Sequence, residues 1–582
     1  MRQHSAWTKW RPSWMSSTSS TDDERREMTG EALSDSNTLQ PHRGQSDDYL
    51  NGDIYDQQPW EVEKIWDDSV DLKKMPYLTH IKSLSQTWPH LRFLSQWMLV
   101  TTTPVKWQLI CNHPNIDRIR SERASRCHVA ALDFVQGQSP PRMETINNVT
   151  RLAESLGDIK RNGTQGKTRL YVVEDLSRDV IELLGWNLDI DPLFFREQIN
   201  DYQWYNTRDP WVELPDLHVV SKHRSFFYLE YMHARYFKSY ELFKSAIAEA
   251  GMFNVLRRMD DDSDHGSIFD KDGAVVALVR SKTSLWIRPC KRGEDTVAVL
   301  LVDPSIKTGR SLWNGYRPFA CSPSPSEARQ TYEPPPRDTL FNDVCYWMQH
   351  MSLGDINAIR DNPKIVAYRM VQIICSEWLL LSSYITARLR QIEWEVERTD
   401  FRADIQQGID ASLGKSHTWR RRLPMYRNWI QDARKKLFRD LGTAPNDCLA
   451  DLQEDFEIAA RGLEGLQQQL ERITAVTTAV AAFEESRRAV EQNRSLGNLT
   501  YLAVIFAPLS FVSSFFSMTP SLNDLGQTFG IYFSVAIPIS LAVLYLVLDQ
   551  SWTQWLPGLS KWKKERAAKM NGEQKRMGTL KS

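Results

Sequence analysis

A cytosolic α/β domain, a long helical coiled-coil stalk and two C-terminal transmembrane helices are expected from three features of this 582-residue chain. Two uncharged apolar runs lie near its end. Apolar residues spaced alternately four and three apart lead up to the first of them. In the first half, β-branched runs alternate with helical signals.

Residues 1–75 are rich in Ser, Asp, Arg and Gln and poor in aliphatics, the composition of a disordered tail. The first apolar run of useful length lies far downstream, so no secretory signal peptide is expected. Residues 76–320 read as the α/β domain. Arg169–Glu174 (RLYVVE) is a strand signal, and Asp179–Gly185 reads as a helix ending at a glycine. Ala274–Arg280 and Val297–Val302 are further β-branched runs, the second closed by Asp303-Pro304. Residues 321–361 are expected to be linker and connecting segment, because Cys321–Pro336 is dense in Pro and Ser.

Residues 362–498 read as the stalk. Asn362 before Pro363 is an N-cap with proline in the first turn, opening a helix to about Arg402. A second helical segment spans Met425–Leu441. Beyond Pro445, the positions Leu452, Phe456, Ala459, Leu463, Leu466, Leu470 and Ile473 keep the four-three spacing of a coiled-coil seam, continued by Val480, Phe483 and Val490. A bundle that packs within the chain and a stalk running rigidly into the membrane both fit. The stalk is expected, since Gly497 alone interrupts the pattern before Pro508. At 1.5 Å per residue, Asp447–Met518 would span roughly 100 Å.

The first span, residues 499–518, reads LTYLAVIFAPLSFVSSFFSM, and the second, residues 531–548, reads IYFSVAIPISLAVLYLVL. Each is long enough for a hydrocarbon core of ~30 Å. The earlier apolar stretch Val371–Ile385 contains Glu377 and is expected to be a packed soluble helix. Arg487, Arg488 and Arg494 precede the first span. Lys561, Lys563, Lys564, Arg566 and Lys569 lie in the tail, residues 549–582, while the loop 519–530 has no Lys or Arg. Both termini are therefore expected in the cytosol and the loop outside.

Leading into and along the first span, Asn493, Leu496, Thr500, Ala503, Ala507, Ser510, Ser514 and Ser517 recur at alternating steps of three and four and share one helix face. All but Leu496 are small or polar. Such a stripe either lets helices pack closely or lines a water-filled path, and spacing leaves both open. Two spans cannot enclose a pore, so conduction would require several copies.

Net charge is −1 and charged residues make up 25%, which leaves no basic field for nucleic acid. Cys111, Cys127, Cys290, Cys321, Cys345, Cys375 and Cys448 are scattered and form no C-x-x-C pair, arguing against disulfides and a zinc site. No Gly-rich phosphate loop, nucleophile elbow or His-Glu zinc motif is present, so neither catalysis nor a cofactor is expected. Asp260-Asp261-Asp262-Ser263-Asp264 begins like a calcium loop, but His265 and Lys271 stand where glycine and a bidentate Glu are needed. It is expected to be a solvated acidic loop, and the stalk acids Asp447, Asp451, Glu454, Asp455, Glu457 and Glu464 a solvated helix face.

The run Glu484–Met518 (EESRRAVEQNRSLGNLTYLAVIFAPLSFVSSFFSM) resembles the stalk end and first span of the CorA family of magnesium transporters, especially its fungal branch. Val172–Asp175 and Ile190–Phe195 also resemble segments of that branch, and the order of parts is similar. The resemblance implies a homopentamer in a lipid bilayer, the plasma membrane being favoured. Its first spans would line a pore for Mg²⁺ or another divalent cation, the transported ion. The lining would be Asn493, Leu496, Thr500, Ala503, Ala507, Ser510 and Ser514. The family's Gly-Met-Asn signature at the outer mouth becomes Ser517-Met518-Thr519 here, followed by Pro520. Threonine lacks the reach and carbonyl dipole of asparagine, so a non-conducting, membrane-anchored scaffold or sensor is the alternative. No metal-ligating residue is assigned.

Overall fold

The structure is a computed structural model. It describes residues 70–103, 113–162, 167–199, 214–262, 273–288, 295–320, 322, 324–325, 334–397, 405–438, 448–517 and 525–555. The expected tail up to residue 69 and most of the basic tail fall outside these. The chain divides into two units, 1–403 with 410–474, and 404–409 with 475–582.

The first unit is built on a sheet of β1 (Val129–Phe134), β2 (Arg142–Ile146), β3 (Thr168–Glu174), β4 (Phe226–Phe237), β5 (Met259–Asp262), β6 (Val275–Ile287), β7 (Thr296–Val302) and β8 (Arg310–Ser311). Their order is β2-β1-β3-β7-β6-β4-β8, with β5 alongside β6. β3 and β7 run parallel, from Thr168 opposite Thr296 to Glu174 opposite Val302. The other pairs are antiparallel.

Both faces of the sheet are covered, which is why β7 is buried at every position and its sequence shows no polar alternation. On one face Val129, Ala131, Tyr171, Val173, Val297 and Val299 share a core with α1 (Pro76–Thr87), α2 (Arg92–Val100), α3 (Val149–Asn162), α4 (Arg178–Leu188) and α5 (Pro192–Ile199). A smaller cluster joins Phe237, Val275 and Ala277 to Phe243 and Ala246 of α6 (Tyr240–Gly251). On the opposite face Ala130, Leu132, Leu170, Val172, Ala298 and Leu300 pack with α7 (Leu340–Gln349), α8 (Leu353–Asp361), α9 (Tyr368–Glu397), α10 (Ile405–Leu437) and the first part of α11 (Cys448–Phe516).

Several expectations need revision. α4 passes through Gly185 and stops at Asp189, a left-handed residue with φ of 54°. The glycine answers to packing instead: a Cβ there would stand 2.2 Å from the Tyr77 ring. That ring is held in place because the Tyr77 hydroxyl donates to the Ile190 carbonyl at 2.6 Å. α10 begins about twenty residues before the expected Met425 and carries Pro424 in its interior. Residues 321–361 contain α7 and α8, whose first turns are capped by the Thr339 and Ser352 hydroxyls. Asn362 caps a short 3-10 turn, Pro363–Ala367, that leads into α9.

The four-three seam has a partner other than the one expected. Leu452, Phe456, Ala459, Leu463, Leu466, Leu470 and Ile473 are all buried. They share a core with Trp378, Leu381 and Ile385 of α9 and Trp419, Tyr426 and Ile430 of α10. Over this stretch the seam closes a bundle within the chain and is not free to pair with another copy.

Asp260–Asp262 are strand β5 and not a solvated loop. Asp260 is paired with Arg258 at 2.9 Å and Arg280 at 2.8 Å. Asp262 accepts from Arg388 at 2.7 Å and from the Tyr384 hydroxyl at 2.6 Å. Backbone pairing to β6 and three arginines hold these acids at 2% and 6% exposure, where hydration alone would keep them outside. Of the stalk acids, Glu457 is paired with Arg434 at 2.8 Å.

In the second unit, α11 continues from Ala475 and α12 spans Leu525–Trp555. Among the described residues one helix, Pro363–Val396, is long and apolar enough to cross a membrane, but 61% of its apolar window is buried. It is α9 with its preceding turn, the central helix of the first unit's core. The two expected spans are represented by shorter apolar stretches, Ile505–Ser514 in α11 and Phe529–Val543 in α12.

Candidate functional site

The candidate site is the striped face of α11 within the second unit. Leucine, isoleucine, alanine and phenylalanine sustain helix from Ala475 to Phe516, and Pro508 is accommodated without a break in the assigned helix. α12 similarly carries Pro538 in its interior. Prolines are tolerated in such helices where neighbouring groups take up the freed backbone positions.

The two apolar stretches are joined by a hydrogen bond. The Tyr532 hydroxyl donates to the Leu509 carbonyl at 3.2 Å. Val512 on α11 is 5% exposed and Ala536 on α12 is 0% exposed, while most of their described neighbours are open. Ser534 bonds back to the Gly530 carbonyl at 2.6 Å, so its hydroxyl is satisfied within its own helix.

The stripe points elsewhere. At ~100° per residue, Ala503, Ala507, Ser510 and Ser514 gather on one side of α11, and Val512 lies roughly opposite them. Ala503, Ala507, Ser510 and Ser514 are exposed in the single chain, as are Asn493, Leu496 and Ser517. Thus the small-residue face of α11 is exposed and lies opposite its buried Val512. Large side chains are also open, with Phe506 at 60% and Phe511 at 74%, so exposure alone does not single out the stripe. The helical phase of Val512 does.

The Thr500 side chain, Met518 and Thr519 lie outside the described residues, and Ser517 follows the last turn, its N–H donating to the Ser513 carbonyl at 3.0 Å. The sequence reasoning missed Tyr532 and Val512. A phenol hydroxyl inside an apolar run was the available signal for the first, whereas one apolar side chain among others in the span gave none for the second. Among the described residues, no group of three or more His, Cys, Asp or Glu side chains is placed to hold a metal ion. Cys127, Cys345 and Cys375 are buried free thiols. Burial pushes Cys127 up to about 11 and the other two up to about 12, so none is poised to react.

The chain resembles the complete structure of the CorA magnesium transporter from Methanocaldococcus jannaschii at 10% identity and a TM-score of 0.34, covering 72% of this chain and 96% of that one. It also resembles the structure of the full-length CmaX protein at 13% identity and a TM-score of 0.35, covering 73% and 98%. Comparison with curated proteins finds no match. The family model described as CorA-like Mg2+ transporter protein matches residues 349–549, from the end of α7 through α10 and α11 to α12. Over those residues the chain is similar to the CorA-like Mg²⁺ transporter family.

Proposed function

We propose that the chain passes Mg²⁺ or another divalent cation through a pore formed by several copies, five on the family's pattern, each lining it with the striped face of α11. Residues 499–518 and 531–548 cross the bilayer, the loop 519–530 lies outside, and both termini are cytosolic. The observation that carries this reading is the direction of the stripe. Val512, on the opposite side of α11, is buried, and the exposed Ala503, Ala507, Ser510 and Ser514 are left for a central axis. Mg²⁺ parts with its water reluctantly, and hydroxyl-bearing rings suit the passage of an ion that keeps part of its shell. Leu496 forms an apolar constriction, and Ser517, Met518 and Thr519 form the mouth.

The test is uptake of Mg²⁺, Co²⁺, Ni²⁺ and Zn²⁺ by proteoliposomes holding the purified full chain under an imposed voltage. Voltage-driven uptake is expected. The substituted signature favours one competing reading, an oligomeric scaffold or sensor without conduction. That reading predicts no uptake by the native protein and a new current in the double variant Ser517→Gly with Thr519→Asn. Uptake by the native protein disposes of it.

A further inference from the structure

Between the sheet and α9 lies a cavity of about 50 Å³ whose wall carries more carboxylates than cations. β4 contributes Tyr231, His233 and Arg235, and the residue after β7 contributes Asp303. The segment before α7 contributes Asp338, α7 itself Asp343, and α9 Glu377. Three of the four acids are paired with a basic side chain. His233 Nδ1 stands 3.1 Å from Glu377 Oε2, and Arg235 donates to Asp338 at 3.1 Å. Asp303 is bound by Arg257 at 2.7 Å and also accepts the Lys282 N–H at 2.7 Å.

Asp343 differs. It is 3% exposed and forms no ion pair among the described residues, and its Oδ1 has no hydrogen-bond partner. A buried carboxylate oxygen without a donor is costly as an anion and far less so as a neutral acid. Burial, then the facing charge of Glu377, push the Asp343 carboxyl up to about 7. The Arg337 backbone, His233 and the Tyr316 hydroxyl act in the opposite sense and do not overcome these. Asp343 also sits in the first turn of α7, where the helix end favours negative charge, and burial outweighs that as well.

We propose that Asp343 and Glu377 form a proton-operated latch between α7 and α9. With a proton on Asp343, one negative charge faces His233 and α7 stays seated on the sheet through Phe341, Val344 and Met348. When that proton passes to bulk water, Asp343 adds an unpaired negative charge facing Glu377 in a small cavity, and α7 is pushed away from α9. α7 is the element to give way. It has ten residues, while α9 has thirty and is packed along most of its length.

A group whose pKa rises on folding contributes stability that is complete below its unfolded value, here about 4, and lost as pH climbs through about 7. Between pH 6 and pH 8 the equilibrium for opening α7 should therefore rise about tenfold. Amide hydrogen exchange of the full-length protein in detergent, corrected for intrinsic rates, reads this directly. Peptides covering 340–349 should lose about tenfold protection at pH 8, with β3 and β7 as unchanged references in the same sample. Asp343→Asn should abolish the difference, and Glu377→Gln should move it to lower pH. Equal protection of 340–349 at both pH values in the native protein overturns the latch. So does a pH dependence that survives Asp343→Asn. If Asp343→Asn does not fold, an unshifted transition in Glu377→Gln overturns it.

Discussion

Replacing Leu463 by alanine separates the two roles that a four-three seam can have. The side chain is 1% exposed and lies in the core shared by α9, α10 and α11. Losing three carbons at ~0.8 kcal/mol each removes about 2.4 kcal/mol of transfer free energy. Trp378 and Tyr426, with ring centroids 6.3 Å apart in the same core, limit how far the site can collapse. The residual hole brings the expected loss to about 3–4 kcal/mol. Phe483→Ala is the matched control. Its side chain belongs to the same periodic series but is 69% exposed in the single chain, so the fold should lose less than about 1 kcal/mol. Thermal unfolding by circular dichroism and mass by light scattering, both in detergent, read the two effects separately. Leu463→Ala should lower the unfolding midpoint and leave the assembly intact, whereas Phe483→Ala should leave the midpoint and weaken the assembly. A Leu463→Ala protein with an unmoved midpoint and a dissociated oligomer would refute the assignment of this stretch to a bundle within the chain.

Ser514→Leu should abolish divalent uptake in proteoliposomes while the oligomer still forms; undiminished uptake removes the pore from this face. Gly185→Ala should lower the unfolding midpoint, because the added carbon meets a Tyr77 ring fixed by its own hydrogen bond. An unchanged midpoint would show that the ring is free to move. Glu182 accepts the Tyr77 and Leu78 N–H groups at 2.7 Å and 2.9 Å, closing the open end of α1 from more than a hundred residues away. Glu182→Ala leaves two buried donors without an acceptor and should cost about 2–3 kcal/mol in chemical denaturation. A loss below half a kilocalorie would mean that α1 frays without consequence.

β3 and β7 were readable because a strand covered on both faces spells itself as a near-continuous apolar run, LYVV in β3 and VAVLLV in β7. β4 was not. Its sequence, FFYLEYMHARYF, interleaves Glu230, His233 and Arg235, and those charges are neutralised by Lys282, Glu377 and Asp338, which are distant in sequence. The early start of α10 was hidden by Pro424, which reads as a boundary when only local sequence is considered. At the candidate site, the period of the stripe was visible from residue types alone. Its direction was not, since that depends on which side of α11 is buried, and a lone valine decides it. The seam posed a similar problem. Periodicity specifies that a face is apolar but not whose surface will cover it.

The pairing of β3 with β7 has a consequence for how the protein is made. Thr168 must wait for Thr296 before the parallel pair can close, and the sheet face beneath it is completed by Leu452–Ile473 of α11. At ribosomal rates of 5–20 residues per second, that face stays uncovered for roughly 10–30 s after β7 emerges. High contact order of this kind slows folding and exposes apolar surface to aggregation. The last residues needed to finish the soluble core are synthesised immediately before the apolar stretch Ile505–Ser514. A nascent chain of this protein should therefore engage chaperones through its half-built sheet before its C-terminal apolar stretches leave the ribosome.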